Sequence, residues 1–239
     1  MDAILFDWDG TLADTLGAIY DANVAVMAEL GLPFDAEQYR RHATPDWRLF
    51  YERLGVPADR LEAANARWNE LIDFRGALLF PGIRQALKRL SAAGHPLGVV
   101  TAGHSSAVRG QLRQHGLERL FEVVVYGDDL PVQKPHPDPL LVALGGLGRR
   151  DRPDGAVYVG DSTTDMEMAR AVGVHAVGIE SLFASADQLR AAGADEVAGS
   201  TQQWVEQVFS RGSVRPSLPP GTRGSPDGSS TPLPRTRRA

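Results

Sequence analysis

The chemistry of this chain opens with two carboxylates two residues apart. Asp7-Trp8-Asp9-Gly10-Thr11 follows directly on the apolar run Ala3-Ile4-Leu5-Phe6. Three further polar groupings come later: Thr101-Ala102-Gly103, Lys134-Pro135 and Gly160-Asp161-Ser162-Thr163-Thr164-Asp165. One aspartate can attack phosphorus and split a hard hydrolysis into two easier displacements. A second can protonate the departing alkoxide and later deprotonate water, provided its environment differs from that of the first. Asp7 and Asp9 suit these two parts, and Gly10 lets the backbone approach a phosphate closely. Thr101 can donate its hydroxyl to a phosphoryl oxygen, with the amides of Ala102 and Gly103 as further donors. Lys134 brings a point charge among anions. Asp161 offers a hard oxygen ligand that suits Mg²⁺, and Asp165 can orient Lys134 or a metal-bound water. Phosphoryl transfer calls for this set of parts.

Each grouping alone has a plainer reading. An isolated Asp-x-Asp-Gly is a solvated turn, Thr101 or Asp161 a helix cap, Lys134 a surface charge and Asp165 a first-turn acid favoured by the helix dipole. Together, with three of the four at the ends of expected strands and Lys134 in the loop after another, they favour a site. His104, after the Thr101 turn, reads first as a surface-loop histidine and second as a substrate contact. Trp8 is expected to pack beneath the carboxylates.

The elements that must hold these residues can be read from periodicity. Ala3 to Phe6 is a short buried strand, and further strands are expected at Pro96–Val100, Phe121–Tyr126, Gly155–Val159 and Val174–Ile179. Ile83, Leu87 and Leu90 mark a helix that Gly94 ends, and Met166 to Val172 another. Strands alternating with helices imply an α/β fold with a doubly wound parallel sheet, whose ligands sit at the carboxyl ends of the strands. Residues 14–80 lack strand signals. Leu16, Ile19, Tyr20, Val24, Met27 and Leu30 recur at helical spacing up to Gly31, Asp35 with Gln38 resembles a capping box, and helices continue to about Phe74. This reads as an all-helical cap inserted after the first strand. The catalytic core would then comprise 1–13 and 81–210, with 211–239 as a basic tail rich in Pro, Gly and Ser that cannot bury enough surface to order itself. Between the cap's helices, Arg41, His42, Thr44 and Arg48 belong to a stretch that either faces the site or forms a solvated connection.

Composition narrows the classes. Hydrophobic residues make up 43% and charged residues 23% of the 239, ordinary for a globular chain. No apolar run reaches membrane-spanning length, the start lacks the pattern of a signal peptide, and cysteine is absent. A cytoplasmic location is expected. The tail from Arg211 carries six arginines against Asp227, a formal +5; with −5 for the whole chain, the rest holds −10. So acidic a body makes nucleic acid an unlikely partner. The chain is expected to work as a monomer or homodimer.

The ordered set Asp-x-Asp-Gly-Thr, then Thr, then Lys, then Gly-Asp-x-x-x-Asp resembles the haloacid dehalogenase superfamily over about residues 3–200. The likeness is to its branch with a helical cap, which includes phosphoglycolate phosphatases and β-phosphoglucomutases. It implies Asp7 as nucleophile and Asp9 as acid/base that also lends its backbone carbonyl to Mg²⁺. It further implies Gly10, Thr101, Ala102, Gly103 and Lys134 around phosphate, Asp161 on the metal with Asp7, and Asp165 in support. Members that cleave carbon–halogen bonds or phosphonates lack a carboxylate at the Asp9 position, so its presence favours phosphate esters. A small phosphorylated metabolite, phosphoglycolate first, is the expected substrate. A phosphosugar mutase or a non-catalytic anion-binding protein are the alternatives. Specificity would come from Arg41, His42, Thr44, Arg48 and His104.

Overall fold

The structure is a computed structural model and describes residues 1–72, 77–182 and 184–213. In chain order, β1 (Ala3–Phe6) and β2 (Ala13–Asp14) precede four helices: α1 (Leu16–Glu29), α2 (Ala36–His42), α3 (Trp47–Arg53) and α4 (Leu61–Leu71). Then come β3 (Leu78–Leu79), α5 (Ile83–Ala92), β4 (Leu97–Val100), α6 (Ser105–Gln114) and β5 (Val123–Val125). The chain continues through α7 (Asp138–Gly146), β6 (Ala156–Gly160), α8 (Thr163–Val172), β7 (His175–Ile179), α9 (Ala186–Ala192), β8 (Glu196–Ala198) and α10 (Thr201–Ser213).

Six strands form one sheet in the order β5-β4-β1-β6-β7-β8, with every neighbouring pair parallel. Sheets covered on both faces need strands apolar on both sides, and β1, β4 and β6 are buried at every position. One face packs Ile83, Leu87, Val108, Leu112, Trp204 and Val205 from α5, α6 and α10. The other packs Leu140, Leu144, Met166, Met168 and Leu189 from α7, α8 and α9. β1 lies between β4 and β6, so the chain departs to opposite sides there. That reversal opens a crevice at the strands' carboxyl ends.

The helices α1–α4 build a smaller core of their own around Val26, Met27, Phe50, Tyr51, Val56, Leu61 and Ala64. Their two chain connections are laced together, because β2 pairs antiparallel with β3 through Ala13↔Leu79 and Asp14↔Leu78. Pairing of two residues a side leaves no periodicity to read, so this ribbon was not expected from sequence. Nor was β8, whose three residues start on a charge. The strand expected at Phe121–Tyr126 pairs only over Val123–Val125, opposite Gly98–Val100. Phe121 and Tyr126 are still buried, but as flanking loop residues. The connection expected over Arg40–Arg48 is shorter than its sequence implies: α2 runs to His42 and α3 starts at Trp47, capped by Asp46. α10 runs to Ser213, past the expected limit at 210, and Arg211 in its last turn pairs with Glu196 at 3.0 Å. The helix expected to reach Phe74 is described to Leu71, and Phe74 itself lies outside the described residues, as do 214–239 of the expected tail.

Candidate active site

Each element of the crevice delivers one part of the site. β1 ends where the Asp7 amide donates to the Val159 carbonyl at 2.8 Å, which fixes the first loop against β6. Asp161 follows β6 directly. The turn between Asp7 and β2 depends on Gly10 for two reasons. Its φ is +77°, and a Cβ there would lie 2.4 Å from Asp161 Oδ2, so glycine alone lets the two loops close on one another.

At the centre, the Lys134 ammonium donates to Asp7 Oδ1 at 2.5 Å and to Asp165 Oδ1 at 2.7 Å. All three side chains are buried. Carboxylate oxygens of Asp7, Asp161 and Asp165 come within 4.8 Å of one another. Thr11 Oγ1 stands 3.4 Å from both Asp7 Oδ2 and Asp161 Oδ1. Asp165 is the most fully used. Its Oδ1 meets Lys134 and the Tyr158 hydroxyl (2.9 Å), while its Oδ2 accepts from the Ser162 amide at 3.1 Å and the Ser162 hydroxyl at 2.6 Å. Ser162, not Asp161, is the N-cap of α8, in a capping box completed by Asp165.

Asp9 stands apart from this cluster. Its Oδ1 accepts from the Thr15 hydroxyl at 2.8 Å, and Thr101 donates to it as well. The Gly103 amide donates back to Thr101 Oγ1 at 2.9 Å, and Gly103 in turn accepts from Gly127 at 3.0 Å. Asp128 caps α6 by accepting from the Ser105 amide at 2.7 Å. Thr101, Ala102 and Gly103 are thus held as a fixed turn beside Asp9.

Charge explains the titration behaviour. Burial pushes Asp7 up to about 7, against the lowering pull of Lys134. Asp9 is raised by burial too, and opposed by its hydrogen bond from Thr15. Asp161 is raised well above the ordinary carboxylate range by burial and by repulsion from Asp7 and Asp165. Burial works against the Lys134 ammonium, but Asp165 and Asp7 outweigh it and hold it charged. Three acids facing one base leave an anionic surplus. An all-oxygen donor set in that condition fits a hard divalent cation.

Both arginines expected to read the substrate are paired with acidic side chains. Arg41 is exposed and pairs with Glu37 at 2.5 Å, and Arg48 pairs with Glu62 while lying over the Trp47 ring. Thr44 Oγ1 is within 3.4 Å of the Asp46 amide. His42 is half-buried at the end of α2. His104 is exposed, 3.9 Å from Asp128. Trp8 packs beneath the site as expected, fully buried, its indole N–H donating to buried Gln111. Tyr158, Thr15 and Ser162 were not singled out from sequence. Of these only Tyr158 left a signal, a hydroxyl within an otherwise aliphatic buried strand, which calls for a partner.

Fold and site define the class, and comparison with known proteins agrees. Residues 4–179 match the model of the haloacid dehalogenase-like hydrolase family, and the chain belongs to that family. It is 32% identical over 196 residues to a phosphoglycolate phosphatase of Yersinia pestis, covering 74% of this chain and 79% of that one. To a phosphoglycolate phosphatase of Shigella boydii it is 39% identical over 203 residues, covering 74% and 80%. A haloacid dehalogenase-like hydrolase of Streptococcus pneumoniae superposes with a TM-score of 0.73 at 27% identity, over 87% of this chain and 98% of that one. A β-phosphoglucomutase of Clostridium difficile shares the fold (TM-score 0.69) at 18% identity, over 90% of this chain and all of that one. Within the family, this chain is a phosphatase.

Proposed function

We propose that the chain hydrolyses small phosphate monoesters through an aspartyl-phosphate on Asp7, with Mg²⁺ as cofactor and phosphoglycolate as substrate. The observation that carries this is the division of labour between the two carboxylates of the first loop. Asp7 belongs to the Lys134 cluster, while Asp9 is turned away onto Thr15 and Thr101. An Asp7 oxygen attacks phosphorus as the bond to the ester oxygen breaks, and Asp9 gives its proton to that oxygen. Asp9, now a carboxylate, takes a proton from water, whose oxygen displaces Asp7 and releases inorganic phosphate. The upward shift of Asp9 by burial suits a group that must hold and return a proton. Lys134 and the turn at Thr101, Ala102 and Gly103 offer charge and donors to the equatorial oxygens.

Asp7 and Asp161 would hold the metal with the Asp9 carbonyl, since both oxygens of Asp165 are already engaged. Bound there, Mg²⁺ supplies charge neutralisation as the phosphoryl group transfers. Relatives named phosphoglycolate phosphatase support the substrate. A mutase would return the phosphoryl group to a sugar rather than to water.

The test is phosphate release from phosphoglycolate and a panel of other monoesters, with Mg²⁺ or excess chelator, by the wild-type chain and Asp7→Asn. Mg²⁺-dependent release, abolished in the variant, is expected. Undiminished turnover by Asp7→Asn would remove the mechanism, and turnover on other esters alone would remove the substrate.

A further inference from the structure

Tyr158 is the one aromatic residue of β6 and is wholly buried among Leu140, Leu144, Met166 and their neighbours. A phenol in such a place must find partners for its hydroxyl. This one lies 2.9 Å from Asp165 Oδ1 and 3.0 Å from the Val100 carbonyl. Asp165 stands in the first turn of α8. Val100 ends β4, on the far side of β1 from β6, and directly precedes Thr101. Lys134 Nζ also lies over the ring, 5.7 Å from its centroid. One side chain beneath the crevice thus meets Asp165, Lys134 and the strand that delivers the Thr101 turn.

The phenol has a single hydrogen and two acceptors within reach, and the charged carboxylate draws it the more strongly. Asp165 Oδ1 is shared in turn, because the Lys134 ammonium donates to it at 2.7 Å and to Asp7 Oδ1 at 2.5 Å. Two donors on one oxygen each offset part of its negative charge. The hydroxyl therefore weakens the hold of Asp165 on Lys134 and leaves more of the ammonium's charge to Asp7 and to a phosphoryl oxygen. Without it, Lys134 would be drawn towards Asp165. The second contact, to Val100, holds the phenol in register with the backbone ahead of Thr101. In a buried site these shifts are felt strongly, since little solvent is present to screen them.

We propose that Tyr158 is a positioning residue for phosphoryl transfer, its hydroxyl setting how Lys134 is divided between Asp165 and the reacting side of the site. This rests on the phosphatase reading above, and its test separates the two. Tyr158→Phe keeps the packed ring and removes only the donor. Loss of one hydrogen bond to a charged acceptor should lower kcat/KM about tenfold. The loss should be equal on phosphoglycolate and p-nitrophenyl phosphate, because Lys134 and the Thr101 turn address the phosphoryl group that both carry. In an Asp165→Asn background the same change should cost less than about threefold, since the charged partner is gone. A purely structural hydroxyl would lower the melting temperature and leave kcat/KM of the folded enzyme unchanged, which overturns the proposal. Unequal losses on the two esters, or the full tenfold loss beside Asn at position 165, overturn it too. Tyr158→Met, whose flexible chain fills irregular gaps, is the second variant should the first fold poorly, and the same equal losses are expected of it. Calorimetric titration of inorganic phosphate with Mg²⁺ into the wild-type chain and Tyr158→Phe needs no turnover. Weaker binding by the variant is expected, and equal affinity overturns the proposal. If the wild-type chain releases phosphate from neither ester, it is the phosphatase reading on these substrates that fails, and the titration still decides the role of Tyr158.

Discussion

Asp7, Asp161 and Asp165 share one buried ammonium, and the consequences of that imbalance reach beyond catalysis. In an unfolded chain Asp7 titrates near its ordinary value of 3.8, whereas in the fold it is pushed up to about 7. Between these values the native state binds more protons than the unfolded state, so stability falls as pH rises and is lowest above the folded pKa. Asp161, raised well above its ordinary value, acts in the same direction. Chelator-treated protein should accordingly melt at a lower temperature at about pH 8 than at about pH 5.5. Saturating Mg²⁺ should raise the higher-pH melting temperature most, because a ligand that binds only the native state stabilises it. Melting curves at the two pH values, with and without Mg²⁺, check this; a higher apo melting temperature at the alkaline end would contradict it. At this scale the sequence was highly legible. Asp7, Asp9, Thr101, Lys134, Asp161 and Asp165 come together in the crevice because each is next to a strand's carboxyl end, in the loop beyond one or, for Asp165, in the first turn of the helix that follows. The groups that hold them were not legible. Thr15, Ser162 and Tyr158 are polar residues of common types, and only three-dimensional contact distinguishes them from solvated neighbours.

Among the elements, α8 shows how local helix physics serves the site. Ser162 satisfies an orphan amide of the first turn and at the same time clamps Asp165, which in turn positions Lys134. Replacing Ser162 with alanine should cost about 0.5–2 kcal/mol through the lost cap. It should also lower kcat, since the Asp165 carboxylate loses the Ser162 hydroxyl and keeps only the amide of that residue. Thermal melting and steady-state rates measure the two effects separately. A stability loss with unchanged kcat would show that Tyr158, Lys134 and the residue-162 amide hold Asp165 without the hydroxyl. Strands β1, β4, β6 and β7 were readable as buried aliphatic runs, because a covered parallel sheet demands them. The edge strand β8 and the ribbon of β2 and β3 were not, since two or three residues cannot display a period. A cluster of cations marks polarity but not direction, and Arg41 is exposed and paired with Glu37 along α2.

For the molecule as a whole, two cores stand side by side, one built on the sheet and one within α1–α4. Among the described residues no helix is long and apolar enough to cross a membrane. α10 closes the larger core through Trp204 and Val205, and Phe6 meets Trp204 edge-on at 6.5 Å. Removing residues 214–239 should leave the melting temperature and phosphate release close to those of the full chain, because that composition holds too little apolar surface to pack. A cut before Arg211 removes its pair with Glu196 and should be the more harmful of the two. Assay and melting of both truncated chains beside the full one decide the point. The two-residue ribbon of β2 and β3 has a further consequence. It holds the entrance and exit of the helical segment as neighbours whatever lies between them, and lengthening a loop with fixed ends adds only slowly to its entropic cost. Descendants of such a chain can therefore lengthen, trim or exchange what hangs from the ribbon while the register of the sheet below stays untouched. Reaction and recognition are left free to evolve on separate schedules.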